Sequence, residues 1–421
     1  MKRYDTYKPS GIDWIGEVPE HWDRITLQNS ANTFIDGDWI ESPDIAPEGI
    51  RYITTGNIGV LNYKEQGNGY ITEDTFKRLD CTEVFPGDIL ISRLNEPIGR
   101  SCIIPDLNNR IVTSVDNVIY RPKADVFDKR FVVYQMNCYP YTINANLLAR
   151  GTTMHRISRS TLGKIKLILP PIAEQEAIAA YLDARCADID KVVATQQRRI
   201  VLLQELKQSE ITQAVTRGLN PDARMKDSDV EWIGMVPEHW ERCRFKDFIT
   251  LVTKPSVSET KIGLENIESG TGRFIETDSE FEGNGVEFYE DDVVYGKLRP
   301  YLQKVWLATF KGNAVGDFFV FREKKNSCSH FLKYLLLSDG FTKEADGATV
   351  GAKMPRVSSD FILTMRYYLP ERDEQVEIAE YLDRRCGEID RQIGAVTKQI
   401  ELLREYKQAL ITEVVTGKRK V

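Results

Sequence analysis

The residues of this chain whose types could do chemistry are cations, amides and hydroxyls that recur at matching places in its two halves. Arg93 and Asn95 follow an apolar, strand-like run in the first half, and Lys297 and Arg299 take the corresponding place in the second. Arg, Lys and Asn side chains bind guanine and adenine edges, while hydroxyls bind phosphates. We therefore interpret the recurring set as candidate DNA contacts: Arg93, Asn95, Arg100, Arg150, Thr152, Thr153, His155, Arg156, Lys297, Arg299, Lys304, Lys353 and Arg356.

This interpretation depends on recurrence, because a single exposed cation usually does no more than solvate a surface. Arg156 and Arg356 are the strongest pair, since they lie in the similar segments GTTMHRIS (151–158) and GAKMPRVS (351–358). A structural ion pair at the junction between domain and helix would use the same arginines. The sequence leaves both roles open.

Catalytic motifs are missing from the sequence. It contains no G-x-x-x-x-G-K-[ST] phosphate loop, and none of its four histidines has a neighbouring His or Cys at metal-ligand spacing. Glu287, Asp291 and Asp292 near Lys297 loosely resemble a nuclease pattern, but their order and spacing are wrong, and a solvated hairpin is the simpler prediction. We expect a non-catalytic chain without a metal site.

The sequence segments that must position these residues occur as an internal repeat. DWIGEVPEHW (13–22) returns as EWIGMVPEHW (231–240), and EQEAIAAYLDARCADID (174–190) returns as EQVEIAEYLDRRCGEID (374–390). Each half thus has a tryptophan motif, a divergent middle, a G-x-x-M-x-R-[IV]-S segment and a long helix. We interpret Trp14, Trp22, Trp232 and Trp240 as packing anchors with a second role in binding a partner protein.

The long helix predicted at the end of each half has the spacing of a coiled coil. Apolar residues in the second helix are spaced alternately by four and three positions, at Ile389, Ile393, Val396, Ile400 and Leu403. The first helix repeats this spacing with Ile189, Val193, Gln196, Ile200 and Leu203. Each predicted helix has about 40 residues and a length of roughly 60 Å. A helix with one apolar seam needs a partner in water, and each helix is the obvious partner of the other in an antiparallel pair.

The middles alternate short apolar runs with Gly, Pro and Asn, which predicts strands. The fold class is therefore α+β: two globular domains of mixed α/β type joined by two long antiparallel helices with a pseudo-twofold repeat. The predicted boundaries are domain 1 at 1–165, helix 1 at 166–220, a linker at 221–228, domain 2 at 229–369 and helix 2 at 370–421.

Bulk composition sets limits on function. The 421 residues carry a net charge of −7, which weakens DNA binding as a whole-chain property but does not exclude a local basic face. No apolar run approaches the roughly 18 residues that span a bilayer, and seven cysteines without C-x-x-C pairs favour the reducing cytoplasm. Cys186 and Cys386 are predicted to be small core residues.

The paired W-I-G-x-V-P-x-H-W motifs, the G-x-x-M-x-R-[IV]-S segments and the E-Q-x-x-I-A-x-Y-L-D helices resemble the DNA-specificity subunit of type I restriction–modification enzymes, over essentially the whole chain. The resemblance implies two target-recognition domains, each reading half of a bipartite, asymmetric target in double-stranded DNA. It implies a helix pair that sets the spacer and docks two methyltransferase subunits, and two motor/nuclease subunits beyond them. S-adenosylmethionine, ATP and Mg are expected on those partners, and no cofactor on this chain.

The main alternative is a non-catalytic coiled-coil adaptor that binds proteins and makes no DNA contact. An enzyme with an unrecognised site is the other alternative, and its candidate residues are His155, Asp291 and Asp292.

Overall fold

The computed structural model describes residues 3–151, 155–256, 258–279 and 281–421. The chain divides into two compact units: unit 1 is Met1–Thr195 with Gln399–Val421, and unit 2 is Gln196–Lys398. Each unit therefore combines one divergent middle with parts of both long helices. The domain boundaries predicted from the sequence stay a prediction.

Unit 1 is built from short strands, short helices and the long-helix segments. Its strands are β1 Tyr7–Pro9, β2 Glu17–Pro19, β3 Asp23–Thr26, β4 Ala31–Asp36, β5 Ile50–Ile53, β6 Tyr70–Ile71, β7 Ile89–Ser92, β8 Ser101–Ile103, β9 Ile111–Thr113, β10 Asn117–Pro122 and β11 Lys166–Leu169. Its helices are α1 Glu73–Leu79, α2 Lys129–Met136, α3 Tyr139–Leu147, α4 Arg159–Gly163 and the first part of α5 Ile172–Arg217. Single 3-10 turns span Ser42–Asp44 and Thr55–Asn57.

The main sheet of unit 1 has the order β4-β10-β7-β8, with antiparallel pairs throughout. A second sheet, β6-β5-β9, contains the parallel pair β5–β9. The pairs β1–β2 and β3–β11 complete the unit.

Unit 2 repeats this plan. Its strands are β12 Met225–Asp227, β13 Met235–Pro237, β14 Glu241–Arg244, β15 Ile249–Val252, β16 Pro255–Ser256, β17 Lys261–Ile262, β18 Gly285–Phe288, β19 Val293–Gly296, β20 Val305–Leu307, β21 Gly312–Ala314, β22 Phe318–Glu323 and β23 Arg366–Leu369. Its helices are α6 Phe245–Phe248, α7 Ser329–Leu337, α8 Asp339–Gly347, α9 Ser359–Thr364 and α10 Arg372–Val415, whose last part belongs to unit 1, with 3-10 turns at Leu264–Asn266 and Pro300–Leu302.

The main sheet of unit 2 has the order β15-β22-β19-β20, which matches unit 1 strand for strand. A second sheet, β16-β18-β21-β17, again holds one parallel pair, β17–β21. The predicted mixed α/β fold with duplicated domains and long helices is confirmed.

The starts of the long helices are fixed by a side chain that occurs in both units. Gln175 donates from Nε2 to the carbonyls of Pro170 and Val126, and its Oε1 accepts from the Asp128 N–H at the N-cap of α2. Gln375 makes the corresponding three bonds in unit 2. Each buried amide therefore joins the first turn of a long helix to the short helix beside it.

The long helices run antiparallel within each unit. In unit 1, Trp22 contacts both Glu174 at the start of α5 and the neighbourhood of Gly417 after the end of α10, while Asp190 of α5 pairs with Lys407 of α10 at 2.7 Å. In unit 2, Lys207 pairs with Asp390 at 2.9 Å. The helix pair predicted from the heptad spacing is therefore confirmed in both units.

The seam residues explain why the helices are stable. Ile389, Val396 and Ile400 are buried and the other members of both seams are buried or half-buried, whereas most residues between them are exposed. The helices also contribute apolar side chains directly to the domain cores. The core of unit 1 contains Ile178, Ala179, Leu182, Leu410, Ile411, Val414 and Val415. The core of unit 2 contains Ile211, Ala214, Val215, Ile378, Ala379 and Leu382. Neither domain core is complete without both helices.

The prediction of a solvated hairpin is wrong for Asp292 and Glu287, which are buried, while Asp291 is exposed. Asp292 is only 2% exposed and accepts hydrogen bonds of 2.7 and 2.6 Å from Nε and Nη2 of Arg322. Glu287 binds Lys254 at 3.0 Å. These acids serve as ion-pair partners within the sheets of unit 2.

Cys186 and Cys386 are buried core residues, as predicted, and all seven cysteines are free thiols. Within the part of the chain that the structure describes, no group of three or more His, Cys, Asp or Glu side chains is arranged to hold a metal ion. None of the described helices is both long and apolar enough to cross a membrane.

Helix α7 is held to α10 by the carboxylate of Asp383. Its Oδ1 accepts from Lys333 Nζ at 2.8 Å and from the Tyr334 hydroxyl at 2.6 Å, and its Oδ2 lies 3.4 Å from His330 Nδ1. Burial alone would raise the pKa of Asp383, but the hydrogen bonds from His330, Lys333 and Tyr334 outweigh it and hold the pKa well below its usual range.

We expect this group to make unit 2 sensitive to acid. Because the pKa of Asp383 is lower in the folded state than in the unfolded chain, its stabilisation is fully present above about pH 4 and is lost as the pH falls towards the folded-state pKa. The free energy of unfolding of Asp383→Asn should therefore be lower than that of the parent at pH 7, and the two should converge as the pH falls below 4. Urea unfolding at several pH values measures this, with the exposed Asp278→Asn as control; a constant difference at all pH values would contradict it.

Candidate nucleic-acid interface

In unit 1 the candidate residues gather at one edge of the main sheet. Strands β7 and β10 pair with Ser92 opposite Asn117, so the end of β7 and the start of β10 lie together. The segment after α3 returns to this edge and closes on itself, because Arg150 and Arg156 exchange two backbone hydrogen bonds of 3.0 and 2.9 Å. The Ile157 N–H then donates to the Arg93 carbonyl at 3.1 Å. We call the segment closed by the Arg150–Arg156 bonds the closed loop of unit 1, of which the structure describes residues 150, 151, 155 and 156.

Unit 2 has the same arrangement at the edge formed by β19 and β22. Val350 and Arg356 exchange backbone hydrogen bonds of 3.0 and 3.1 Å, and the Val357 N–H donates to the Lys297 carbonyl at 3.1 Å. The Arg299 N–H adds a bond of 2.9 Å to the Pro355 carbonyl. Residues 350–356 are the closed loop of unit 2, and both predicted sets of residues are therefore brought together.

In both closed loops, the last arginine forms a structural ion pair, which is the role that the sequence analysis gave as the alternative to DNA contact. Arg156 Nη2 lies 2.8 Å from Asp116 Oδ1, and Arg356 binds Asp317 through Nε and Nη2, each at 2.8 Å. The hydrogen bonds from Arg356 are the main reason why the pKa of Asp317 is lowered. The bidentate pair fixes the guanidinium plane of Arg356, and Arg156 makes a single contact at the equivalent place. Contact with DNA stays a prediction for both arginines.

Two of the predicted DNA contacts are buried, and the structure corrects their role. Arg93 is 7% exposed, pairs with Asp36 and donates from Nε to the Ile157 carbonyl at 3.2 Å. Arg100 is 7% exposed and donates to the carbonyls of Ile58, Leu94, Pro97 and Thr55. Burial lowers the pKa of Arg100, and four of its five N–H groups are bound to backbone carbonyls.

Lys304 has the same structural role in unit 2. Its Nζ donates to the carbonyls of Leu264 and Ile267 at 2.9 and 2.8 Å, as Arg100 does to those of Thr55 and Ile58. Each cation thus holds the 3-10 turn around a buried asparagine, Asn57 in unit 1 and Asn266 in unit 2. The segments TTGNIG (54–59) and LENIES (264–269) contain this shared turn.

The remaining predicted contacts that the structure describes lie at or beside the closed loops. Asn95, Arg150 and His155 are exposed in unit 1, and Arg299 and Lys353 are exposed in unit 2. Lys297 is half-buried, with its Nζ 3.9 Å from Asp317 and 5.5 Å from the centre of the Phe319 ring. Thr152 and Thr153 lie outside the described residues.

The tryptophan motifs lie at the starts of the long helices. Trp22 is fully buried and donates from Nε1 to Glu174 at 3.1 Å, while His21 Nε2 lies 2.9 Å from the same carboxylate. Trp240 and His239 bind Glu374 in the same way, at 3.1 and 2.8 Å.

These contacts correct the second role that was predicted for two of the tryptophans. Trp22 and Trp240 have no accessible surface to offer a partner, so they are packing anchors only. Trp14 packs edge-on against Tyr141, and Trp232 stacks on Tyr367. Both are half-buried, and partner binding stays a prediction for them.

Sequence reasoning missed the acidic side of the site. Glu174 and Glu374 stand in the quoted helix repeats, but nothing in the repeats indicated that they receive the Trp and His donors. Asp116 and Asp317 were missed because each lies in a divergent middle, and only its position just before β10 or β22 repeats.

Comparison with known proteins agrees with this architecture. Residues 19–198 match the family model of the type I restriction modification DNA specificity domain. The chain is 24% identical over 337 residues to the MjaVIII specificity subunit of Methanocaldococcus jannaschii, covering 75% of this chain and 76% of that one. It is 25% identical over 293 residues to the EcoDI specificity subunit of Escherichia coli, covering 64% and 65%.

A solved structure of the type I R-M system has a similar fold. A structure solved for the complex assembly and conformational transition of the type I R-M system superposes with a TM-score of 0.70 at 13% identity, over 94% of this chain and 98% of that chain. The chain therefore shares its overall fold with that structure. The resemblance that the motifs predicted is confirmed, because residues 19–198 match the type I DNA-specificity domain and the chain is similar to specificity subunits over most of its length.

We expect Arg100 and Arg150 to respond differently to the same substitution. Arg100→Met leaves four backbone carbonyls of unit 1 without their donor, and buried acceptors that lose a charged donor cost on the order of 3 kcal/mol. Arg150→Met changes an exposed side chain and should alter the free energy of unfolding by about 0.5 kcal/mol or less. Urea unfolding and amide hydrogen exchange at residues 54–59 measure both; equal effects would contradict the structural role of Arg100.

Proposed function

We propose that this chain is the sequence-specific DNA-binding subunit of a type I restriction–modification complex, in which each unit reads one half of a bipartite, asymmetric target. One observation carries the proposal: two units with different surfaces present the same closed loop, with exposed cations, at the same edge of the main sheet. A duplicated frame with divergent contents fits two readers of two different half-sites. The adaptor alternative gives no reason for cations at both loops.

The chain supplies recognition, and its partners supply chemistry. We propose that the subunit is non-catalytic, that S-adenosylmethionine is carried by two methyltransferase subunits, and that ATP and Mg are carried by two motor/nuclease subunits. The net charge of −7 supports this division, because partners that clamp the DNA can provide the positive charge that this chain lacks. A cytoplasmic location follows from the same proposal.

The outer faces of the long helices are the proposed docking surfaces for the methyltransferase subunits. Leu402 and Tyr406 of unit 1 are 55% and 52% exposed, and Leu202 and Leu206 of unit 2 are 49% and 41% exposed. Residues four apart lie on one face of a helix, so each unit presents a matching apolar pair outside the seam. Two equal surfaces suit two copies of one partner.

Salt titration tests DNA binding. The complex of the full chain with its methyltransferase partners should bind a duplex that carries the motif found by sequencing methylated bases in a host with the whole system. The logarithm of the binding constant should fall steeply with the logarithm of salt concentration, and Lys353→Gln or Arg150→Gln should each reduce the slope by about 0.9 for one lost phosphate contact. Fluorescence anisotropy measures the slope, with exposed Lys398→Gln as control. Binding without salt or sequence dependence would favour the adaptor.

Polar substitution of one helix face should remove one partner. Leu402→Gln with Tyr406→Gln keeps good helix-forming residues but removes the apolar pair of unit 1, so native mass spectrometry should show one bound methyltransferase subunit instead of two. Adding Leu202→Gln and Leu206→Gln to this variant should leave no bound methyltransferase subunit. The exposed Glu401→Gln is the matched control. Two subunits still bound to the fourfold variant would contradict this docking surface.

A further inference from the structure

The closed loop of unit 2 carries two large apolar side chains at its surface. Val350 is 79% exposed and Met354 is 48% exposed, and both belong to the seven-residue segment VGAKMPR. Val350 is among the most exposed large hydrophobic residues of the described chain, level with Leu147. Neither residue belongs to any of the hydrophobic core clusters of unit 2, so packing inside the unit does not account for them.

Cations surround these apolar side chains. Lys353 stands between Val350 and Met354 in the loop and is exposed, and Arg356 closes the loop at its base. Arg299 is exposed and is joined to the loop through its N–H bond to the Pro355 carbonyl at 2.9 Å. An apolar tip between positive charges complements a stack of base pairs between two phosphate backbones. A protein or lipid partner would explain the apolar residues without the cations.

The loop is also held rigidly, which a wedge requires. Val350 and Arg356 exchange two backbone hydrogen bonds, Val357 is bound to the Lys297 carbonyl, and Asp317 fixes the Arg356 guanidinium through two bonds of 2.8 Å. An inserted side chain separates stacked bases only if its own backbone does not yield.

We propose that Val350 and Met354 form an apolar wedge that inserts between adjacent base pairs of the half-site bound by unit 2, while Lys353 and Arg299 contact the flanking phosphates. The proposal rests on the DNA-binding function proposed above. Unit 1 has Arg150 at the position that Val350 holds in unit 2. Met354 has a counterpart in Met154, so Val350 is the wedge residue that distinguishes the two loops. The half-site of unit 2 is read partly through the ease with which its base step opens.

The wedge has a spectroscopic consequence. With the complex of the full chain and its methyltransferase partners, duplexes are prepared that carry 2-aminopurine at successive positions of the methylated motif. We expect binding to raise 2-aminopurine fluorescence at one step of the half-site assigned to unit 2, because the base is unstacked there. Val350→Ser with Met354→Ser should abolish the rise and weaken binding roughly tenfold, while leaving the salt slope unchanged since no phosphate contact is lost.

Three further variants test whether the apolar side chains themselves cause the rise. Val350→Ile keeps an apolar branched side chain and should retain the fluorescence rise. An unchanged salt slope in the double serine variant excludes a folding defect in that variant. Lys353→Gln should reduce the salt slope and keep the rise. Met235→Ser, which changes a 41% exposed residue of the tryptophan motif, should change neither.

The outcomes distinguish the two proposals. If the complex binds DNA with salt and sequence dependence but the Val350/Met354 double variant keeps the fluorescence rise, the wedge is overturned and the DNA-binding function stands. If the complex binds no duplex in a salt-dependent way, the DNA-binding function itself fails. A loss of the rise in Val350→Ile as well would also count against the wedge, because it would indicate a change of loop structure.

Discussion

Each unit depends on one glutamate in the first turn of a long helix. Trp22 is fully buried, and a buried indole N–H without a partner would cost on the order of 1–3 kcal/mol. Glu174 satisfies it, and a carboxylate is favoured at a helix N-terminus by the helix dipole. Pro19 and the same tryptophan leave no room beyond the end of the other helix, where a Cβ on Gly417 would lie 2.3 Å from Pro19 Cδ and 2.9 Å from the Trp22 ring. The contacts at this joint therefore fix the tryptophan motif, the start of one helix and the end of the other.

This joint accounts for the pattern of similarity between the halves. Residues that meet at the joint and along the helices must fit each other, so Glu174, Gln175 and Asp190 have identical equivalents 200 positions later. The middles are restrained only by the need for a sheet and a closed loop. Different residues satisfy that need, as when Arg100 and Lys304 hold equivalent turns with different cations.

Ion pairs between the two long helices fix their register. Lys207 is buried against Asp390, and Lys407 pairs with Asp190 at the equivalent place in the other unit. A charge that is removed from water must keep its partner, so these two pairs disfavour any other register of the helices. The outer helix faces stay free of the cores, and the closed loops stay at the sheet edges, where their contents can differ without disturbing either core.

The sequence by itself determined the duplicated architecture, the mixed α/β class and the helix pair. Periodic residues such as Ile389 and Val396, and end signals such as Pro171 and Gly417, act locally and can be read from spacing alone. Only the tertiary structure decided which cations are available for binding. Arg100 and Lys353 look alike in the sequence, but one is surrounded by backbone carbonyls and the other is exposed. Burial depends on contacts between segments that are distant in the chain, and no local pattern encodes those contacts.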